Sequence, residues 1–322
     1  MRNSDQKRKV IMEAMNLKRV KPKINKGDMF FYCVFLAWPV LQFAIFYIGV
    51  NFNSVLMSFK EFDQTTNTIK FGWGSYKWVF EFMGTSTFKG YLGVTIKGFL
   101  ISSIISTPLG LLFAYYIYKK LFGWGAFRVI LFLPQIVSAV VIALMFRWFV
   151  NDYIPALFPS VGNLFDTGRF EKTSFPMLMF FAIWIGFGTT VLMYSNKMSS
   201  ISEEIIESAH LDGATGLKEF WYIVLPLTFS TFSVFLITSV SQLFINQFGA
   251  YELYRGQTSQ AFRSIGYYFF LEVRTLSAHA LDPTQTPSFF KFAALGIVLT
   301  IITVPLALGI RWAVEKYGPS EE

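Results

Sequence analysis

Polar side chains interrupt the fifth long apolar run of the sequence at regular spacing. Within the stretch TSVSQLFINQ, Ser239, Gln242 and Asn246 stand at positions i, i+3 and i+7, which share one face of an α-helix. Their hydroxyl and amide groups can hydrogen-bond a solute rich in hydroxyls, and polar groups inside a membrane usually face the bundle interior or a watery cavity. The same spacing suits hydrogen bonds between neighbouring helices. Solute binding and helix packing are therefore both open for this face.

Residues for catalysis or metal binding are scarce. The sequence has one cysteine, Cys33, and two histidines far apart, His210 and His279, so it predicts neither a disulfide nor a metal site. It contains no G-x-x-x-x-G-K-[ST] phosphate loop, so we do not expect it to bind ATP in the usual way. A membrane-embedded enzyme would need clustered His, Asp or Cys side chains. We therefore predict that the chain is not an enzyme.

Residues 196–224 predict a short helix, a glycine turn and a second helix. Ser200 and Glu203 have the spacing of a capping box, and Gly213 can adopt the positive φ that ends a helix. Pro226 stands where a following helix can begin. The apolar face of the second helix would consist of Leu217, Phe220, Trp221 and Val224.

Membrane helices must position these residues. The 322-residue chain is 53% hydrophobic and only 15% charged, whereas soluble domains are about 45–50% apolar. A helix needs about 20 apolar residues to cross about 30 Å of hydrocarbon. Since an open sheet cannot satisfy its backbone groups in lipid, we predict an all-α membrane protein with six transmembrane helices. The six runs cover 29–50, 92–118, 129–150, 176–195, 225–248 and 291–312.

Basic residues predict the orientation. Nine Lys and Arg fall within residues 1–26, and with a cytoplasmic N-terminus the inside segments hold sixteen against ten outside. Both termini should then be cytoplasmic. This placement accounts for the net charge of +8 without nucleic-acid binding. A secondary transporter would need ionisable residues near mid-membrane, and the spans offer only Lys97 and Arg147 near their ends.

The loop between the fourth and fifth runs carries a family resemblance. Its residues match, in type and spacing, the EAA signature of bacterial binding-protein-dependent ABC importer permeases, with Ser208 where that family usually has Ala. Asp212 and Ala214 extend the match to the Asp-Gly-Ala form, which resembles the sugar branch of maltose and glycerol-phosphate type. TPLGLLFAYYI at 107–117 and FRVILFLPQIV at 127–137 also look like that family. The matching signature residues are Glu207, Ala209, Asp212, Gly213, Ile223, Leu225 and Pro226.

The resemblance implies a type I ABC importer permease fold and a set of partners. Loop 196–224 would be the coupling loop that docks on a cytoplasmic ATP-binding subunit. The implied assembly has two ATP-binding subunits, a second and different permease, and an extracytoplasmic solute-binding protein, in the bacterial cytoplasmic membrane. This chain itself would bind no cofactor, and ATP and Mg would bind the partner ATPase.

The resemblance also implies a substrate path. In maltose-type permeases the helix after the EAA loop lines the sugar site with Ser and Asn at the offsets of Ser239 and Asn246, whereas Gln242 falls where an aromatic residue is expected. Trp184, Ile185 and Gly186 resemble the family's Trp-Leu-Gly stretch. Thr189 follows one turn after Gly186, and we expect both residues to face the fifth helix.

The predicted boundaries follow from the runs and the resemblance. The sequence does not decide whether the solute is a mono-, di- or oligosaccharide, glycerol phosphate or a sugar acid. The alternative functions are a secondary transporter and an ABC importer for a non-sugar solute. The predicted segments are a basic arm at 1–28, a first transmembrane helix at 29–50, an extracytoplasmic loop at 51–91, an ABC transmembrane type-1 domain at 92–312, and a cytoplasmic tail at 313–322.

Overall fold

The computed structural model describes residues 26–63, 68–160, 162, 164, 173–254, 263–278 and 286–319. Most of the predicted basic arm, His279 and the last three residues of the predicted tail lie outside the described residues. The chain divides into two compact units, Met1–Leu56 and Met57–Glu322.

The first unit contains one long apolar helical stretch. Helix α1 covers Lys26–Gln42 and continues through a π-helical turn at Phe43–Gly49 into α2, Val50–Ser58. Its aromatic and aliphatic side chains are exposed, and none of its most hydrophobic stretch is buried. A helix that is apolar on all sides suits a lipid environment. The helical stretch includes the predicted first span and extends eight residues beyond its end, to Ser58.

Regular structure replaces much of the predicted loop 51–91. After α2, strand β1 (Lys60–Asp63) pairs antiparallel with β2 (Thr68–Phe71), and helix α3 covers Gly74–Gly84. The Glu61 carboxylate accepts a hydrogen bond of 2.9 Å from the Gly74 amide. This bond satisfies an amide that the first turn of α3 leaves unpaired, and it joins the hairpin to the helix.

The long helices of the second unit overlap the predicted apolar runs. Within the described residues, five helices are long and apolar enough to cross a membrane, and a bent pair supplies a sixth crossing if it counts as one span. The predicted all-α membrane fold is confirmed. In chain order the remaining helices are α4 (Ser86–Tyr118), α5 (Trp124–Ile136), α6 (Ala139–Trp148), α7 (Ile154–Leu157), α8 (Phe175–Ser199), α9 (Glu203–Leu211), α10 (Leu217–Glu219), α11 (Leu225–Leu227), α12 (Phe229–Ser241), α13 (Ala250–Tyr254), α14 (Ile265–Ala278) and α15 (Thr286–Tyr317).

The third predicted span, 129–150, is not one helix. α5 ends at Ile136, and α6 begins at Ala139 after two residues, Val137 and Ser138, with extended backbone. Pro134 lies just before this break and lacks the amide hydrogen that a continuous helix would use. The membrane-length stretch is Ala139–Leu157, which includes α6, a π-helical turn and α7.

The fifth predicted span, 225–248, is bent and ends early. Its helical axis turns by 61° at Thr228, between α11 and α12. Pro226 removes one backbone donor, and the Thr228 hydroxyl donates to the carbonyls of Val224 and Leu225 at 2.9 and 3.1 Å. The helix then stops at Ser241, seven residues before the predicted end.

Close packing joins the central helices. A buried apolar cluster combines side chains of α4 and α8 with Phe220 and Val224 from the segment before the fifth span. On α8, a Cβ at Gly188 would lie against the backbone carbonyl oxygen of Leu131 on α5, well inside van der Waals contact. Small residues of this kind let membrane helices approach closely. This packing fixes α8 between α4 and α5.

Candidate functional site

The segment between α8 and α12 forms the predicted helix, turn and second helix. α9 ends in a Schellman motif: the Gly213 amide donates to His210 O at 3.0 Å and the Ala214 amide to Ala209 O at 2.9 Å. Gly213 has φ +80°, a left-handed conformation that side chains with a Cβ rarely adopt. The glycine turn therefore lies where the sequence predicts it.

The start of α9 differs from the prediction. Its N-cap is Ser202, with no side-chain cap bond, whereas the Ser200 hydroxyl donates to Lys197 O at 2.7 Å. Ser200 thus belongs to the end of α8, and the capping box predicted from Ser200 and Glu203 is wrong. The spacing alone could not tell whether the serine closes the preceding helix or opens the next one.

The predicted apolar face of the second helix is split. Phe220 and Val224 are buried, but Leu217 and Trp221 are 67% and 58% exposed. Residues Phe220–Val224 form a π-helical turn, whose i+5 bonding breaks the 3.6-residue spacing on which the prediction relied. The exposed pair, together with Leu211 at 90% exposure, gives the segment an apolar outer surface.

The signature residues lie on both sides of this segment. Glu207, Asp212 and Gly213 are exposed, whereas Ala209 is the buried residue of α9. Ile223, Leu225 and Pro226 are partly buried where the second helix enters the bundle. The exposed carboxylates are accessible to a partner protein, and the apolar residues attach the segment to its own chain.

A buried carboxylate that sequence reasoning missed lies beneath this segment. Glu219 is fully buried, and both of its carboxylate oxygens accept from Lys119 Nζ, at 3.0 and 2.9 Å. His210 Nε2 lies 2.8 Å from Glu219 Oε2. Separating a buried carboxylate from its hydrogen-bonding partners costs free energy, which favours keeping these three side chains together. The signal in the sequence was an acidic residue inside the apolar run LKEFWYIVLP.

A cavity of about 190 Å³ lies between α4, α8 and α12 and contains the predicted polar residues. Ser239, Gln242 and Asn246 all line it. Only Ser239 is helical, because α12 ends at Ser241, so the prediction that all three share a helical face is wrong. Asn246 reaches the cavity from the turn after α12, where its Oδ1 accepts from the Phe248 amide at 2.8 Å.

The fourth helix contributes a different threonine from the one predicted. The Thr189 hydroxyl donates to Gln135 Oε1 on α5, and Gln135 Nε2 donates to Ile185 O at 2.9 Å. Thr189 thus serves helix packing, whereas its neighbour Thr190 lines the cavity. Gly186 lines a second cavity of about 330 Å³, which shares Thr190, Ser239 and Asn246 with the first.

Hydroxyl groups dominate the part of the cavity wall that the sequence did not predict. They come mainly from α4, where Ser102 and Ser106, and likewise Ser103 and Thr107, are spaced i, i+4. This spacing could have indicated a polar helix face. Aromatic rings complete the wall. The remaining lining residues are Phe99, Thr190, Tyr194, Phe232, Phe235, Leu236, Thr238, Leu243 and Phe248.

Tyr194 presents an unsatisfied group at this cavity. The residue is fully buried, and its hydroxyl has no hydrogen-bond partner among the described residues. A buried polar group without a partner typically costs about 1–3 kcal/mol.

Comparison with known proteins is consistent across sequence and structure. The model of the family described as binding-protein-dependent transport system inner membrane component matches residues 106–319. The multiple sugar-binding transport system permease protein MsmF of Streptococcus mutans is 26% identical over 215 residues, which are 66% of this chain and 70% of that protein. The arabinooligosaccharides transport system permease protein AraP of Bacillus subtilis is 26% identical over 202 residues, 60% of this chain and 62% of AraP, so the chain spans less than two thirds of that relative.

A solved structure shares the fold. A chain of the bacterial alginate ABC transporter, crystallised in complex with the alginate pentasaccharide-bound periplasmic protein, superposes with a TM-score of 0.72. The superposition covers 93% of this chain and 98% of that chain at 19% identity. At this identity the likeness establishes the fold.

Proposed function

The chain belongs to the family of inner membrane components of binding-protein-dependent transport systems, and from this premise we propose that it is a channel-forming permease subunit of an ATP-driven importer for a carbohydrate-like solute. The observation that carries the substrate class is the cavity between α4, α8 and α12. Its wall combines Ser and Thr hydroxyls, two amides and phenyl rings. Hydroxyls and amides can exchange hydrogen bonds with sugar hydroxyls, and the rings can pack against the apolar faces of a sugar.

The charge of the wall narrows the substrate class. None of the described residues that line the cavity is ionisable apart from the Tyr194 hydroxyl. A phosphate or a carboxylate in this cavity would be desolvated without a cationic partner, which is costly. We therefore propose a neutral sugar as the solute, rather than glycerol phosphate or a sugar acid.

The loop at 196–224, which contains the helix, the glycine turn and the second helix, is proposed to be the coupling segment. Its exposed apolar side chains, led by Leu211, are a surface that another protein can cover. Glu207 stands exposed on the same helix and can bind a basic group on that partner. The partner in this proposal is the ATP-binding subunit, which binds ATP and Mg and hydrolyses the ATP.

The rest of the proposed assembly follows from the family. It contains two ATP-binding subunits, a second permease and an extracytoplasmic solute-binding protein. Both termini and the coupling segment face the cytoplasm, because Lys and Arg are concentrated in the segments on that side.

Reconstitution of the complex with its partner subunits in proteoliposomes tests the proposal. We expect ATP-dependent uptake of neutral di- or trisaccharides such as maltotriose, and none of glycerol 3-phosphate or galacturonate. Uptake by the chain without the ATP-binding subunit, driven by a proton gradient, would instead establish a secondary transporter.

Ser239→Ala tests the cavity itself. Ser239 is exposed and lines both cavities. This variant removes one hydroxyl that can bind the sugar, so we expect the half-saturating sugar concentration to rise about 2- to 12-fold, as for the loss of one hydrogen bond of about 0.5–1.5 kcal/mol. Ser241→Ala, on the same helix and outside these two cavities, is the matched control. Equal kinetics of the two variants would exclude the Ser239 hydroxyl from the path.

A further inference from the structure

One carboxylate joins three elements of the chain. Glu219 belongs to α10, Lys119 follows the last residue of α4, and His210 lies in the last turn of α9. The Glu219 side chain is completely buried, whereas those of Lys119 and His210 are 29% and 41% exposed. The two nitrogen-bearing side chains therefore reach inward to a single buried acceptor.

A second contact joins the same elements. The Tyr115 hydroxyl on α4 donates to Gly216 O at 2.8 Å, and its ring lies 5.0 Å from the ring of Phe220. The end of α4 thus contacts the second helix of the coupling segment on both sides of Glu219. These contacts do not involve the signature residues that the family resemblance singled out.

The contacts between α9 and the bundle are few. Of its nine residues only Ala209 is buried, and Ile206 packs against the apolar cluster beneath it. The turn that follows contains two glycines with positive φ, Gly213 and Gly216. The polar contact from His210 to Glu219 is therefore a substantial part of what holds α9 against the rest of the chain.

Helix α4 connects this junction to the cavity. The serines and threonine at 102, 103, 106 and 107 lie on the same continuous helix, about three to five turns before Lys119. The helix contains Pro108 between these residues and Lys119 but stays α-helical from Ser86 to Tyr118, so a displacement at its end can reach its cavity face.

We propose that Glu219 is a positioning residue that transmits the movement of α9 to α4, and through α4 to the cavity wall. This inference rests on the proposed function, in which the ATP-binding subunit moves α9. Because Glu219 is buried, separating its carboxylate from Lys119 and His210 would cost free energy, so α9, α10 and the end of α4 move together. Transmission therefore runs through side chains as well as through the backbone connections of α8 and α12.

The experiment uses the full complex with its ATP-binding and solute-binding partners, in a Cys33→Ser background with Ser106→Cys as a reporter in the cavity. The labelling rate of this cysteine by a methanethiosulfonate reagent is measured with and without ATP and vanadate. The variants are Glu219→Gln, Lys119→Met, their combination, and Lys119→Arg. Lys120→Met, at the exposed neighbouring lysine, is the matched control.

We expect the ATP-dependent change in labelling rate to fall at least about fivefold in Glu219→Gln, in Lys119→Met and in the double variant. ATP hydrolysis should persist in all of them. Lys119→Arg keeps the ion pair and should behave like the control. Thermal stability distinguishes a role of the pair in stabilising the fold from a role in transmitting movement. Lys119→Met leaves a buried charge and should be the least stable variant. The double variant should regain stability without regaining the ATP-dependent change in labelling rate.

A double variant that is as stable as the parent and shows the full ATP-dependent change would overturn the inference, because Glu219 would then serve stability alone. A parent complex that fails to retain the ATP-binding subunit would contradict the proposed function instead. The two failures are distinguishable, because the second is observed before any substitution at Glu219.

Discussion

Gly213 lies in the turn after α9, and its backbone conformation limits which residues can replace it. A Cβ at this position would meet no atom within 4 Å, so only the backbone conformation at φ +80° resists a larger residue. The left-handed region costs most residues about 1–2 kcal/mol, and asparagine tolerates it better than others. We expect Gly213→Val to abolish sugar uptake and Gly213→Asn to retain most of it, measured in proteoliposomes with the partner subunits.

Comparison of the two variants isolates conformation from bulk, since both side chains enter open space. Equal loss of uptake in both would show that the exposed surface at residue 213, rather than the turn, is what the complex requires. Binding of sugar to the isolated solute-binding protein should not change in either case.

Individual residues were predicted where a local rule fixes them. Gly213 follows from the geometry of a helix end, and Ser239 and Asn246 follow from polarity within an apolar run. Thr189 and Thr190 are adjacent in sequence, and only the packing of α8 against Gln135 decides which of them faces the cavity. Glu219 could not be assigned from the sequence, because its partners lie 100 and 9 residues away.

At the scale of elements, the contact between α5 and α8 depends on a glycine, which has no side chain to keep the helices apart. Gly188 allows α8 to approach the Leu131 carbonyl of α5. Gly188→Leu should force these helices apart, with a loss of stability of about 1–3 kcal/mol or more for overpacking. The expected result is a lower midpoint of thermal unfolding in detergent and a lower yield of folded protein.

Gly125→Ala is the matched control, because a Cβ on this α5 residue would meet nothing within 4 Å. An unchanged unfolding midpoint in Gly188→Leu would mean that α5 and α8 can separate without cost, contrary to the packing described.

The apolar runs predicted where helices lie but not where they break. The length of an apolar run is set by the lipid thickness, so a window along the sequence is enough to find it. The breaks at Val137 and at Thr228 depend on prolines whose effect varies with the helices around them. Because α12 ends early, the chain after it reaches the cavity through Gln242, Leu243, Asn246 and Phe248. Such irregular backbone is tolerated at membrane depth where it lines a cavity.

At the scale of the whole molecule, the charge distribution predicts the orientation. In a Cys33→Ser background, Ser202→Cys on the coupling segment should resist a membrane-impermeant maleimide added to intact cells. Lys77→Cys on α3 should react with it, since both positions are exposed in the structure. The measurement is labelling before and after permeabilisation, and reaction of Ser202→Cys in intact cells would invert the topology.

The uncharged wall of the cavity has an electrical consequence. Moving one elementary charge through 100 mV of membrane potential involves about 2.3 kcal/mol, which ion-coupled carriers use as a driving force. A neutral sugar that passes a wall with no charge among its described residues carries none of this energy. For the neutral sugar and the ATP-driven import proposed above, the solute step is electrically silent, so we expect a cell whose membrane potential has collapsed to continue import for as long as its ATP lasts.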